Sequence, residues 1–124
     1  MKTTVSATRL AKALAAQGII ASRSGNVISV KSASNNAVSA EILLPESLPL
    51  EIKAVEQLLA FAGVHHPHGG NVCKACATPD FHPGSPVPVG SVLVTSHDFV
   101  VPQAIGTDIN CGMRLHIMDI TVDQ

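Results

Sequence analysis

The 124 residues given are enough for one ordinary domain, or two small ones sharing a core. Hydrophobic residues reach 46% and charged residues only 14%, with no Trp or Tyr, so Val, Ile, Leu and Ala must build the core. The formal net charge of −1 hides an uneven layout: Lys2, Arg9, Lys12, Arg23 and Lys31 all precede Glu41, the first of nine acidic residues.

A basic start of that kind fits contact with phosphate, or an ordinary solvated face. The Ser, Thr, Ala and Arg content of this start resembles a transit peptide but ends in no recognisable cleavage site. The apolar stretch Leu10 to Ala21 is too short to span a bilayer. Three cysteines without a secretion signal favour a reducing compartment, and the cytoplasm is the expected location. So apolar a short chain also needs something to cover part of its surface: a partner, a second copy or further polypeptide.

In chain order, Leu10, Ala13, Leu14 and Gln17 share a helical face, which predicts a helix over Ala7 to Gln17 ended by Gly18. Strands are predicted at Ile19 to Ala21 and Val27 to Val30, around the Ser24-Gly25-Asn26 turn. A turn at Asn35-Asn36 leads into apolar residues from Val38 to Leu44. Pro45 and Pro49 mark a boundary, which divides the chain into a helix-plus-meander part, 1–46, and a second part, 47–124. Next, Ile52, Val55, Leu58, Leu59 and Ala62 form one stripe of a core-packing helix that ends near Gly63. Strands at Ser91 to Thr95 and Phe99 to Val101 bracket Ser96-His97-Asp98 as a hairpin, and Met113 to Ile120 alternates loosely as a last strand.

Two places carry metal-ligand residue types. His66, His68, Cys73 and Cys76 lie close in sequence and would make a tetrahedral zinc set. If the cysteines stand on a strand, however, alternation sends them to different faces. The second place is the pair of Asp108 and Cys111, followed by Gly112. A carboxylate and a thiol three residues apart on a tight loop suit Mn or Zn; an Asp capping a turn beside a buried Cys is the bland alternative.

The order of motifs is more specific than either place alone. Asp80-x-His82-x-Gly84 is followed by Pro88-Val89-Gly90-Ser91-Val92. Pro102-Gln103-Ala104-Ile105-Gly106-x-Asp108-Ile109-x-Cys111-Gly112-Met113 then closes the series. This run, from about Cys73 to Met118, resembles the RtcB family of RNA ligases. The resemblance implies an α+β fold, with a mixed or antiparallel sheet and two helices, as the amino-terminal portion of an RtcB-like structure. It also places Cys73 to Ala77 on the strand that leads into Asp80.

Members of that family join RNA ends bearing a 3′-phosphate or 2′,3′-cyclic phosphate to 5′-hydroxyl ends. They use GTP and Mn(II), through a guanylate carried on a histidine. The resemblance therefore implies that Asp108 and Cys111 are metal ligands. Asp80, supported by His82, would orient the metal shell or the nucleophile side. It further implies RNA ends as partners, such as tRNA halves or broken RNA awaiting repair. Asn110 stands where many members carry Gly. In the family the guanylated histidine lies beyond the last of these motifs, and His116 does not occupy its position. Alone, the chain is expected not to ligate RNA, and to need a carboxy-terminal segment or self-association. The alternative is a small non-enzymatic zinc-binding or interaction module.

Overall fold

The structure, a computed structural model, describes residues 3–96, 98–106 and 112–120. Its elements are α1 (Thr3–Ala16), β1 (Ile19–Ser24), β2 (Val27–Ser32), β3 (Ser39–Leu43), α2 (Ile52–Ala62), β4 (Val72–His82) and β5 (Val89–Thr95), then a 3-10 turn at Pro102–Ala104. The five strands form one sheet in the order β1-β2-β3-β4-β5. The result is the α+β fold expected from the sequence.

Connection length decides strand direction. The two-residue Gly25-Asn26 turn returns β2 antiparallel along β1, and the short Asn35–Val38 link does the same for β3. Between β3 and β4 the chain crosses over through α2, so these two strands run parallel. The sheet is therefore mixed, with β4 flanked by β3 on one side and antiparallel β5 on the other.

Alternation sets the buried face. Ile28 and Val30 of β2, Ala40 and Ile42 of β3, and Ala75 and Ala77 of β4 point inward. The predicted stripe of α2 covers them: Val55, Leu58 and Leu59 are buried with Ala54, while Ile52 and Ala62 pack at the margin. Leu14 of α1, Ile19, Leu44 and Phe81 complete one buried cluster, which draws on both sides of residue 46. Each fully buried Leu, Ile or Val in it contributes about 1.5–3 kcal/mol before relaxation of the unfolded chain is counted.

Among the basic residues of the first segment, Arg23 is engaged by the fold itself. Its guanidinium donates to the Leu44 carbonyl at 2.7 Å and to that of Gly25 at 3.2 Å, which ties the first hairpin to the end of β3. Among the described residues no helix is long and apolar enough to cross a membrane.

Two predicted strands do not form. Phe99 to Val101 makes no ladder: the ring of Phe99 lies over Gly70, and Pro102, which has no N–H to donate, opens the 3-10 turn instead. Residues 113–120 have no strand partner either, and Met113, Leu115 and Ile117 are almost wholly exposed. Alternation makes a strand only beside a neighbour with unpaired backbone groups.

Candidate functional site

The Asp80 motif sits where the β4–β5 ladder breaks. Cys76 pairs with Val92 and Ala77 with Ser91, but the next pair is His82 with Val89. Residues 78–81 of β4 are thus opposed by Gly90 alone, a wide bulge in the longer strand. Gly90 makes the bulge possible. Its φ is +83°, and a Cβ there would stand 2.7 Å from Thr78 Oγ1 and 3.3 Å from the Asp80 carbonyl oxygen. Gly90→Ala is therefore expected to destabilise the fold by about 1–3 kcal/mol, through steric crowding and a disfavoured backbone. Chemical shifts of Asp80 and His82 should move more than those of the β1–β2 hairpin.

The bulge turns Phe81 into the core and leaves its neighbours outside. Asp80 has 82% of its side chain exposed and His82 has 47%. His82 Nδ1 lies 2.8 Å from the Asp80 carbonyl oxygen, which only accepts, so Nδ1 carries the proton and donates. In the neutral ring Nε2 is then left with its lone pair, the form suited to a metal or a proton. The Asp80 carboxylate lies 3.8 Å from the same Nδ1, an ion pair only when the imidazole is charged.

Downstream, the loop is held by helix α2. The Gly84 N–H donates to Gln57 Oε1 at 3.1 Å, and Gln57 Nε2 donates to the Gly84 carbonyl at 2.9 Å. A Cβ on Gly84 would collide with the Val87 carbonyl oxygen. Ser91 Oγ donates to the Pro88 carbonyl at 2.7 Å and fixes the start of β5. Sequence reasoning missed Gln57, which reads there as one more polar residue beside an apolar stripe.

The zinc set of the alternative reading does not gather. His65 bridges to Asn71 across a tight turn, and its Nδ1 donates to the Gly63 carbonyl at 3.1 Å. Inside the turn the His68 N–H donates to His66 Nδ1 at 3.1 Å. Cys73 lies exposed at the start of β4, beside the Asn71 carbonyl, and Cys76 sits farther along among other partners. Among the described residues no group of three or more His, Cys, Asp or Glu side chains is placed to hold a metal ion. The physical reason is that strand β4 carries its two thiols away from a turn whose imidazoles already bond locally.

On the sheet's outer face Lys74 Nζ lies 3.0 Å from Glu41 Oε2 across β3 and β4. The Lys74 pKa is raised above its ordinary 10.5, first by the hydrogen bond to Glu41 and then by the charges of Glu41 and Cys76. Because the lysine value is raised, the stabilisation from the pair is complete below 10.5 and is lost only as pH climbs through the folded value. Glu41→Gln should return Lys74 toward its ordinary titration, read by NMR at alkaline pH, and leave stability near neutral pH almost unchanged, as for exposed pairs generally.

Asp108 and Cys111, the predicted metal ligands, lie outside the described residues.

A family model for the tRNA-splicing ligase RtcB matches residues 57–124, more than half of the chain. The chain belongs to the RtcB family. The RtcB match starts at Gln57 and takes in the carboxy-terminal half of α2, both strands around the bulge, and everything after them. A curated relative, the RNA-splicing ligase RtcB2 of Escherichia coli (strain ATCC 25922), is 33% identical over 75 residues. That stretch covers 60% of this chain and 18% of the relative. The chain thus spans less than a fifth of that RtcB protein. No solved structure matches the chain.

Proposed function

We propose that this chain is the amino-terminal part of an RNA ligase that uses GTP and Mn(II) to join 3′-phosphate or 2′,3′-cyclic phosphate ends to 5′-hydroxyl ends. The observation that carries the reading is the family match, which runs through the bulged β4–β5 hairpin with its Asp80 motif and on through the Asp108 motif. In this reading the RNA ends are tRNA halves or broken RNA in the cytoplasm. Residues 47–124 form the part that serves the metal centre, and 1–46 extend its sheet.

Asp108 and Cys111 are assigned as the residues that hold Mn(II). The chemistry of the donor set fits: carboxylate oxygen and thiolate sulfur together suit a borderline divalent ion, and the exposed His82 keeps an imidazole nitrogen with its lone pair. When bound, divalent ions supply positive charge against a triphosphate and the transferring phosphoryl group. The chain's own residues then bind and orient. Asp80 sets the direction of groups around the ions, and His82, fixed by its bond to the Asp80 carbonyl, supports it. GTP binding and the covalent guanylate are assigned to the remaining length of an RtcB-type protein.

The test is ligation of matched RNA ends with GTP and Mn(II), by the chain alone and with the remaining segment of an RtcB relative supplied. Joining should appear only in the mixture. Two pieces that do not bind one another would count against the reading.

A further inference from the structure

We infer that Gln57 is the positioning residue of the Asp80–Gly84 loop. The primary amide of Gln57 meets Gly84 from both sides, donating to its carbonyl at 2.9 Å and accepting from its N–H at 3.1 Å. Two bonds to one residue fix orientation as well as distance, which a single bond does not. Gln57 is itself held, because its helix is anchored by Val55 and Leu58, both fully buried, and by Leu59. The clamp therefore transmits the position of the core to a loop whose two chemistry-bearing side chains stand in solvent.

Its geometry explains the control of Asp80 and His82. The His82–Val89 pair closes the bulge, and Gly84 lies only two residues beyond it. At its other end the bulge leans on Gly90. Residues 78–84 are thus pinned upstream by the ladder at Ala77, in the middle by His82 with Val89, and downstream by Gln57. Release of the downstream pin frees the chain just beyond His82, and that changes where Nε2 points; Asp80, held between Ala77 and the His82–Val89 pair, follows through its bond to His82. The importance of that direction rests on the reading above, in which both groups serve a phosphoryl-transfer centre.

Substitution by glutamate gives a test that simple structural damage would not mimic. In Gln57→Glu the ionised carboxylate still accepts from the Gly84 N–H, but its second oxygen then faces the Gly84 carbonyl. Protonation restores a donor and with it both bonds. The variant should hold the loop at about pH 4 and release it toward about pH 7, across and above the ordinary carboxyl range. The readouts are amide exchange at Gly84, corrected for its intrinsic pH dependence, and the His82 ring resonances. Exchange in the glutamate variant should rise about tenfold relative to wild type over that interval, the equivalent of one lost hydrogen bond. Gln57→Leu should exchange fast throughout, with the β1–β2 hairpin protected as in wild type. A glutamate variant that matches wild type at every pH overturns the inference. If the loop is released while ligation by the reassembled enzyme is undiminished, the clamp stands and the role given to Asp80 and His82 falls.

Discussion

Asp108→Ala, in the ligase reassembled with its remaining segment, is expected to lose RNA joining by more than about 100-fold. Loss of a partner that only orients a metal ligand typically costs 10–100-fold, and loss of a direct ligand costs more. Cys111→Ser should be nearly as damaging, although it removes one atom's worth of difference. A thiol ionises readily beside a divalent ion, whereas a serine hydroxyl stays protonated and is a harder, weaker donor. Joining and Mn(II) uptake should fall together, measured as ligated product and as metal retained after desalting. Full joining by a variant would remove the residue it replaces from the metal centre. Stripping Mn(II) with a chelator should abolish joining by the unmodified enzyme, and adding it back should restore joining.

Leu58→Ala should lower folding stability by about 2–5 kcal/mol, a large part of the 5–15 kcal/mol available to an ordinary domain. Leu58 is completely buried, on the face of α2 that closes over the sheet. The deletion leaves a cavity that the flanking Val55 and Leu59 cannot fill without leaving their own contacts with the sheet. Urea unfolding should show a lower midpoint with an unchanged slope. The adjacent Gln57 makes a useful contrast, since its side chain reaches a loop outside the core. Gln57→Leu is expected to disturb Gly84 and His82 while changing the global midpoint far less.

Local pattern made much of this fold legible. Val55, Leu58 and Leu59 recur at helical spacing because one face of α2 has a sheet to cover, and Gly25-Asn26 announces a tight turn between two alternating strands. The order of the Asp80 and Asp108 motifs carries the family resemblance in the residues themselves. Its expectation of a strand through Cys73 to Ala77 agrees with β4, which continues through Asp80 to His82 as the bulged end of the ladder.

Long-range pairing was much less legible. Nothing local to Glu41 or Cys76 says that their strands lie side by side and parallel; the α2 crossover decides it. The clamp between Gln57 and Gly84 joins residues 27 positions apart, and neither has a spacing that betrays the other. The failures at Phe99 to Val101 and at Met113 to Ile120 share a cause. Apolar alternation was present in the residues, but the hydrogen-bonding neighbour that turns alternation into a strand was not. His66, His68, Cys73 and Cys76 misled in the opposite way, since nearness along the chain did not become nearness in space.

We propose above all that Asp108 and Cys111 hold a divalent ion and that the Asp80–His82 bulge orients the groups around it. A titration of the isotopically labelled chain with Mn(II), followed by paramagnetic broadening of individual NMR resonances, tests it directly and detects weak binding. Signals of residues 80–82 and 108–112 should broaden in parallel, ahead of those of His65, His66 and His68, and Cys111→Ser should remove both effects. Broadening confined to the histidine turn, with both motif loops sharp, would contradict the account.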